Sequence, residues 1–279
     1  MTATVATIGM FDGVHQGHRF VLRQVVETAR ERGLQSLCIT FDHSPRREQV
    51  LTPLTEKLQL IRAVGIDRCE VLQFTPQLKA LTARQFMAQV LKEQLGVQVL
   101  LTGYDNRFGH NREEGFDDYV RYGHELGIEV MQLPAEGQVS SSAIRQHLQE
   151  GRVEEAASLL GRPYALTGSV THGQHIGTGL GYPTANVVPA DSQQLIPANG
   201  VYAVRCGERK GMMNIGTRPT FDGHQRTLEV HLFNYDGDLY GQPLTIDFVS
   251  RLREERSFDS PEALVEQLKI DAHEAQQRL

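Results

Sequence analysis

Two histidines stand three residues apart near the start of the chain, His15 and His18 in "MFDGVHQGH". An apolar run precedes them and a helical pattern follows, so the sequence predicts a strand that turns sharply into a helix. Unpaired backbone amides and the helix dipole favour anions at such a helix start. Both imidazoles can lie on one side of it and donate hydrogen bonds to a polyphosphate, and Gly17 leaves room for a ligand.

Two plainer interpretations of this histidine pair stay open from the residues alone. A zinc pair is one, although no third ligand stands nearby and the spacing by itself is a weak signal. An ordinary turn with surface histidines is the other. The pair therefore needs support from elsewhere in the chain.

A second candidate site is the glycine-rich stretch "THGQHIGTGLGYPTANV" at residues 171–187, whose amides can approach phosphate closely. Its glycines are Gly173, Gly177, Gly179 and Gly181. No GK[ST] follows, so it is not a Walker A loop, and plain β-turns are the alternative for most of the glycines. Thr184 and Asn186 are more specific, because their hard oxygen atoms suit Mg²⁺ and their spacing puts them on one face of an extended segment.

A third candidate is the carboxylate in the alternating run "RTLEVHLF". Leu228, Val230 and Leu232 point one way in a strand, and Glu229 points the other way. A carboxylate on the second face of a strand can serve as a base, and the alternative is a residue that merely faces solvent.

The first half of the chain alternates short apolar runs with helical patterns that close at Gly33, Gly65 and Gly96. The strand-like runs are "TVATIGMF", "LQSLCITF", "RCEVLQF", "VQVLLTGY" and "IEVMQL". Between them stand the helical patterns "HRFVLRQVVETARERG", "TPLTEKLQLIRAVG", "TARQFMAQVLKEQLG" and "GFDDYVRYGHELG". This alternation predicts a parallel sheet with helices on its faces, where ligands bind at the carboxyl ends of the strands.

The second half has a different pattern. Two short helical patterns, in "SSSAIRQHLQEG" and "RVEEAASLLGRPY", lead to a boundary that we expect near residues 152–163. Short β-like runs separated by glycine-rich turns then predict an antiparallel barrel or sandwich, and "NYDGDLYG" carries an Asp-Gly hairpin signal. A terminal helix begins after Ser260, with Pro261 at its first position.

Charge and cysteine content exclude several classes of protein. The net charge of −6 argues against a broad nucleic-acid or membrane surface. Cys38, Cys69 and Cys206 are far apart, so we expect neither a disulfide framework nor a cysteine-rich zinc site. No signal peptide or membrane-length apolar run is visible. We expect a soluble cytoplasmic protein with no nucleic-acid or membrane partner, and self-association stays open.

Two further stretches support the histidine pair. "VSSSAIRQ" offers the hydroxyls of Ser140, Ser141 and Ser142 before a helix, and Arg145 can grip phosphate in a fork. A plain helix cap is the alternative for the serines. The loop "GYDNRFGHNREEG", residues 103–115, follows a strand, where a parallel sheet places a ligand loop.

Taken in order, these pieces resemble the nucleotidyltransferase superfamily and, within it, the FMN adenylyltransferase module of bacterial bifunctional riboflavin kinase/FAD synthetases. The family patterns "GxFDGVHxGH", "GxDFRFGxxxxG" and "SSTxIR" match residues 9–18, 103–115 and 140–145. The resemblance implies a Rossmann-like domain over residues 1–158, with His15, His18 and Arg145 as charge stabilisers on the phosphates of ATP. It also implies substrate or nucleotide contacts at Gly9, Phe11, Asp12, Gly17, Asp105, Ser141 and Ser142.

The second half resembles the flavokinase domain of the same enzymes, through "GYPTAN", "NIGTRPTF" and "LREERSFDS". The resemblance implies a β-barrel riboflavin kinase over residues 159–279, in which Glu229 is the base for the ribityl hydroxyl and Thr184 and Asn186 contact Mg²⁺ and nucleotide. Gly173, Gly177, Gly181 and Arg253 are its remaining nucleotide or flavin candidates. The chain departs from the family at residues 40–48, around the 42–47 loop, where many members read "HP" in place of Ser44-Pro45. It departs again at Ile176 and Thr178, where many members carry arginine.

The resemblance implies a bifunctional enzyme that phosphorylates riboflavin with MgATP to FMN, releasing ADP, and then adenylylates FMN with ATP to FAD and pyrophosphate. Retention of only one activity is the first alternative, and the full set of Thr184, Asn186 and Glu229 argues against loss of the kinase. A non-enzymatic flavin-binding regulator is the second alternative, which no DNA-reading helix or basic patch supports.

Overall fold

The computed structural model describes residues 2–43, 49–104, 106–110, 113–134, 139–171, 181–220, 223–235 and 237–279. Contacts divide the chain into two compact units, Met1–Ser140 and Ser141–Leu279. The division falls before the boundary expected from the sequence, and the domain limits 1–158 and 159–279 stay a prediction.

The first unit contains a five-stranded parallel sheet in the order β3-β2-β1-β4-β5, as the alternating pattern predicts. Its strands are β1 (Thr4–Ile8), β2 (Gln35–Phe41), β3 (Arg68–Leu72), β4 (Val97–Thr102) and β5 (Glu129–Gln132). Its helices are α1 (Gln16–Arg32), α2 (Leu54–Ala63), α3 (Pro76–Ala80), α4 (Ala83–Phe86) and α5 (Phe116–Leu126). The chain order reverses beside β1, and ligands bind at such a switch point in open α/β sheets.

Both faces of this sheet are covered, because alternate residues of its central strand pack on opposite sides. Ala6 and Ile8 join one cluster with Phe86, Met87 and Leu91, and Val5 joins the other with the buried face of α1 and α2. The central strand β1 is therefore buried along its whole length, as expected inside a parallel sheet.

The single helix predicted by "TARQFMAQVLKEQLG" is wrong in detail. One turn of α-helix, α4, continues as a π-helix over Met87–Gln94. The buried side chains of Met87, Val90 and Leu91 all face the sheet. The wider helix still ends in front of Gly96, whose φ is 68°.

The second unit begins with α6 (Ser141–Gln149) and α7 (Val153–Leu160), followed by a closed six-stranded barrel. Its strands are β6 (Tyr164–Thr171), β7 (Ala185–Pro189), β8 (Gly200–Cys206), β9 (Arg209–Thr220), β10 (Gly223–Leu232) and β11 (Pro243–Arg253). They close in the order β10-β7-β6-β11-β8-β9 through antiparallel pairs. The residue pattern predicted either a barrel or a sandwich, and the structure shows a closed barrel.

The hairpin predicted at "NYDGDLYG" is wrong. The strands on either side of it, β10 and β11, pair with other strands of the barrel. Asp236 itself lies outside the described residues. After it the connection turns through hydrogen bonds from the Tyr240 amide to Asp238 Oδ1 (2.8 Å) and from the Gln242 amide to the Leu239 carbonyl (3.1 Å).

The last helix, α8 (Pro261–Arg278), starts as the sequence predicts: Ser260 Oγ accepts a hydrogen bond from the Ala263 amide at 3.2 Å. Its apolar side packs on the outside of the barrel, where Ala275 meets Ala203 and Met212. This helix therefore buries part of the outer barrel surface.

Candidate active sites

The turn that joins β1 to α1, residues 9–15, ends in an unusual helix cap. His15 is the N-cap of α1, and its Nδ1 accepts a hydrogen bond from the His18 amide at 3.3 Å. A ring nitrogen that accepts carries no proton, so the neutral His15 ring bears its proton on Nε2. The cap thus fixes the tautomer that can donate from Nε2.

The two predicted histidines lie against each other. Their rings stack with centroids 3.6 Å apart, and the edge of Phe11 contacts His18 at 5.2 Å. His18 Nδ1 is buried without a hydrogen-bond partner. Burial, and then the neighbouring His15 and Lys57, hold the pKa of His18 well below its usual range. His18 is therefore neutral at physiological pH in the unliganded protein, with a polar atom that a ligand can satisfy.

The backbone of this turn is strained. Phe11, Gly13 and Val14 have φ values of 49°, 84° and 40°, and a branched residue such as Val14 rarely adopts a positive φ. Asp12 holds the turn in place, because its Oδ1 accepts from the amides of Leu51 (2.9 Å) and Thr52 (3.2 Å). Asp12 thus has a structural task, and its predicted nucleotide contact stays a prediction.

A residue that the sequence patterns did not single out supports the same turn. Lys57, on α2, is 5% exposed, and its Nζ donates to the carbonyls of Met10 (3.2 Å) and Phe41 (2.9 Å). The sequence pattern that could have revealed it is its spacing: Lys57 stands four residues before the buried Ile61 and so lies on the apolar side of α2.

The candidate ligand loop after β4 is held by contacts of Asn106 and Phe108. The side-chain amide of Asn106 donates to the carbonyl of Ile8, at the end of β1. Phe108 stacks on Tyr119 with centroids 4.2 Å apart, and the Tyr119 hydroxyl donates to the Phe108 carbonyl at 3.1 Å. The predicted substrate residue Asp105 lies outside the described residues.

Ser141, Ser142 and Arg145 lie in the first turns of α6. Ser142 is exposed, and Ser141 and Arg145 are partly buried. Ile144 and Leu148 form the buried side of this helix, and the Leu148 carbonyl accepts from the Ala198 amide at 2.9 Å. The helix therefore groups with the second unit, and a shared role with His15 and His18 stays a prediction.

In the barrel, strand register brings Asn186 and Glu229 together. Glu229 on β10 stands directly opposite Asn186 on β7, and on its other side opposite Asn214 on β9. Side chains of directly opposed residues lie on one face, with Cβ atoms about 5 Å apart. Leu228 and Val230 are buried in the interior, so this barrel row of Asn186, Glu229 and Asn214 lies on the outer face.

Asn214 and Glu255 are the residues of this region that the patterns missed, although the notable segments "NIGTRPTF" and "LREERSFDS" contain them. A Cβ at Gly216 would stand 3.2 Å from Asn214 Nδ2 and 2.4 Å from Glu255 Oε1. Glu255 Oε1 accepts from the Thr217 amide at 3.1 Å. The bare Gly216 therefore makes room for a second carboxylate beside the barrel row.

Thr184 lies just before β7, two residues from Asn186 and partly exposed. Gly181 has a φ of 81°, a conformation that favours glycine. Two residues later, the carbonyl oxygen of Pro183 lies 2.8 Å from His231 Nδ1. Gly173 and Gly177 lie outside the described residues, as do Ile176 and Thr178. Within the described part of the chain, no group of three His, Cys, Asp or Glu side chains is arranged to hold a metal.

Arg253 is occupied by a structural contact. Its guanidinium pairs with Asp271 on α8, from Nη2 to Oδ2 at 2.7 Å and from Nε to Oδ1 at 2.9 Å. Asp271 is 1% exposed, so the pair fastens α8 to β11. Its expected contact with nucleotide or flavin stays a prediction.

Comparison with family models agrees with the two kinds of site. The FAD synthetase model matches residues 1–145, and the riboflavin kinase model matches residues 160–279. The two halves thus define an ATP-dependent transferase of two modules.

Relatives along the whole chain narrow this class. The Escherichia coli K12 protein named bifunctional riboflavin kinase/FMN adenylyltransferase is 38% identical over 96% of this chain and 90% of its own length. Proteins of the same name from Pseudomonas fluorescens and Bacillus subtilis are 39% and 34% identical, over 96% and 98% of this chain and 90% and 91% of their own lengths. The chain belongs to the bifunctional riboflavin kinase/FMN adenylyltransferase family, an enzyme family of FMN and FAD biosynthesis.

One solved structure shares the whole architecture. A crystal structure described as a macrolide-efflux protein from Streptococcus pneumoniae has a TM-score of 0.91 and 32% identity, covering 100% of this chain and 95% of that one. The word efflux belongs to the description of the pneumococcal protein and is not applied to this chain. Among the residues described here, no helix is both long and apolar enough to cross a membrane.

Proposed function

We propose that residues 159–279 phosphorylate riboflavin and that residues 1–158 adenylylate the FMN so formed. The match of the two family models to separate halves of the chain carries this division. Riboflavin, FMN, FAD and ATP are substrates and products of the family. The retention of one activity alone loses its support, because both domains are present.

In the kinase half, Glu229 is the proposed general base. The ribityl hydroxyl oxygen attacks the γ-phosphorus of ATP, a new P–O bond forms, the bond to the β-phosphate oxygen breaks, and ADP leaves. Glu229 accepts the hydroxyl proton. The neighbouring amides of Asn186 and Asn214 support this role, since side chains on both sides restrict where the carboxylate can point.

Mg²⁺ fits the oxygen atoms present at the start of β7. The Thr184 hydroxyl and the Asn186 carbonyl are hard ligands, and Asn186 stands opposite Glu229 in the strand register. When bound, Mg²⁺ neutralises negative charge on the transferred phosphate. Gly173, Gly177 and Gly181 are proposed to surround the nucleotide, and Arg253 to lie near nucleotide or flavin.

In the adenylyltransferase half, a phosphate oxygen of FMN attacks the α-phosphorus of ATP and pyrophosphate leaves. The nucleophile is already an anion, so positioning and charge stabilisation supply the catalysis. His15 and His18 are proposed to donate to the phosphates. The fixed tautomer of His15 and the unpartnered Nδ1 of His18 support this assignment.

The remaining predicted residues are assigned to the same adenylylation. Gly9, Phe11, Asp12 and Gly17 would shape the ATP site, Asp105 would contact substrate, and Ser141, Ser142 and Arg145 would bind phosphate. The extension of the FAD synthetase match through Arg145 supports the last group. We propose further that the enzyme works in the cytoplasm on small molecules, without nucleic-acid or membrane partners, alone or self-associated.

One incubation tests the function. The protein is mixed with riboflavin and MgATP, and FMN and then FAD are followed by chromatography. We expect FMN to appear first and FAD second. FMN as the sole product would contradict the adenylyltransferase half, and no product would contradict both halves. Starting the same assay from FMN measures adenylylation alone.

A further inference from the structure

Lys57 is buried where lysine is rarely found. It lies on α2 with 5% of its surface exposed, and lysine is almost never fully buried unless it is paired. Two of the three ammonium hydrogens are donated to main-chain carbonyls, those of Met10 and Phe41. A hydrogen-bond donor has therefore been placed inside the fold at a defined point.

That point is the edge of the sheet formed by the carboxyl ends of its strands, where open α/β sheets bind ligands. Phe41 ends β2, and Met10 follows the end of the adjacent parallel strand β1. The Met10 carbonyl also accepts from Thr40 Oγ1 at 3.1 Å. Met10 immediately precedes the strained residues Phe11 to Val14, so Lys57 fixes the backbone from which the histidine turn starts.

Lys57 also faces the charged groups of this region. Burial lowers its pKa, and Asp12, Cys38 and Asp42, in that order, oppose the shift. Burial, then His15 and then Lys57 lower the pKa of His18. The ammonium thus acts on the backbone of the turn and on the charge state of one of its histidines.

We propose that Lys57 is a positioning residue for adenylyl transfer, which holds the Met10 carbonyl so that His15 and His18 are presented to the phosphates of ATP. The inference rests on the proposed function of the β1–α1 turn. Lys57 acts through the turn and does not itself need to touch substrate.

The experiment compares Lys57→Met, Lys57→Gln and Lys57→Arg in the full chain, with Lys79→Met as control. Lys79 is an exposed lysine of the same unit, on α3. FMN adenylylation is measured over pH, and riboflavin phosphorylation by the same samples reports the integrity of the barrel. Thermal unfolding is measured in parallel.

We expect Lys57→Met to lower kcat/KM for adenylylation at least tenfold and Lys57→Gln somewhat less. Lys57→Arg should retain the charge and most of the rate, and Lys79→Met should match the parent. Because a positive neighbour is removed, the pKa of His18 should rise in the Met and Gln variants, seen as an upward move of its NMR titration. A merely structural lysine would lower the thermal stability without lowering kcat/KM for adenylylation by the protein that stays folded.

A folded Lys57→Met within twofold of the parent rate would overturn the proposal, as would an unchanged His18 titration. If Lys57→Met does not fold, Lys57→Gln and Lys57→Arg decide, and equal rates in these two would overturn it. The His18→Ala variant distinguishes failure of the function proposed for the turn from failure of the role proposed for Lys57. If His18→Ala keeps full adenylylation, the function proposed for the turn is wrong. If only His18→Ala loses activity, the inference on Lys57 fails alone.

Discussion

The β1–α1 turn and the barrel row build their sites in opposite ways. In the barrel, regular antiparallel register places Asn186, Glu229 and Asn214 side by side on one face. In the turn, three of the four residues take positive φ values, namely Phe11, Gly13 and Val14. The first site needs only correct strand pairing, whereas the second needs contacts from elsewhere in its unit.

Those contacts come from elements that follow the turn by dozens of residues. Asp12 accepts amides from Leu51 and Thr52, and Lys57 holds Met10. A strained residue costs about 1–3 kcal/mol and persists only when its surroundings impose it. We therefore expect the kinase activity to be sensitive mainly to loss of its reacting side chains. The adenylyltransferase activity should be sensitive both to loss of its histidines and to loss of the residues that hold the turn.

Glu229→Gln should have the largest effect. Loss of a general base lowers rates by factors of 10² to 10⁴, so we expect riboflavin phosphorylation to fall about 1,000-fold. FMN adenylylation should be unchanged. Both rates are measured by product chromatography, with Glu208→Gln, an exposed carboxylate on the β8–β9 turn, as the matched control. Equal loss of both activities would refute the separation of the sites.

His18→Ala should lower adenylylation about 100-fold, because removal of one preorganised donor costs roughly this much. Riboflavin phosphorylation should stay at the parent rate. The exposed His124 on α5 gives the control variant His124→Ala. A large change in phosphorylation by His18→Ala would show that the two sites are not independent.

Asp12→Ala tests the brace itself. The amides of Leu51 and Thr52 lose their acceptor inside the fold, so the free energy of unfolding of this unit should fall by about 2 kcal/mol. Adenylylation should fall with it, and phosphorylation should not. Asp12→Asn keeps one acceptor oxygen and should lose less, as measured by thermal and urea unfolding. Equal stability of both variants and the parent would show that the turn stands without its brace.

Asn214→Ala should have the smallest effect, a fall of about tenfold in riboflavin phosphorylation with unchanged unfolding, because Glu229 itself remains. Asn214→Asp should be more damaging, since like charges directly opposite each other on neighbouring strands repel. Steady-state kcat and KM for riboflavin measure both. A fully active Asn214→Asp would mean that the carboxylate of Glu229 is not oriented from this side.

The sequence predicted the parts of the fold that depend on local pattern. Apolar runs alternating with helices closed by glycine required a parallel sheet, and the alternation around Glu229 placed its neighbours Leu228 and Val230 in the interior, as the structure shows. The histidine pair was found because its spacing at a helix start is itself chemical information.

What the sequence did not reveal depends on contacts between distant segments. Asn214 stands beside Glu229 only through the β9–β10 register, and Lys57 is buried only because two strand ends meet beneath α2. Arg253 was placed near ligand, yet its guanidinium pairs with a buried carboxylate 18 residues later. The π-helix at Met87–Gln94 likewise reflects packing that the helical pattern does not encode.

The order in which the barrel closes has a consequence for how the chain is made. The first strand of the barrel, β6, pairs with its last strand, β11. Arg253, at the end of β11, in turn pairs with Asp271, which comes later in the chain. Chains emerge from the ribosome from the N-terminus, and domains fold as units as they appear. Residues up to Ser140 can therefore be complete while β6 still lacks a partner. During synthesis the parallel sheet with its histidine turn should form before the barrel, whereas the proposed pathway uses the barrel first.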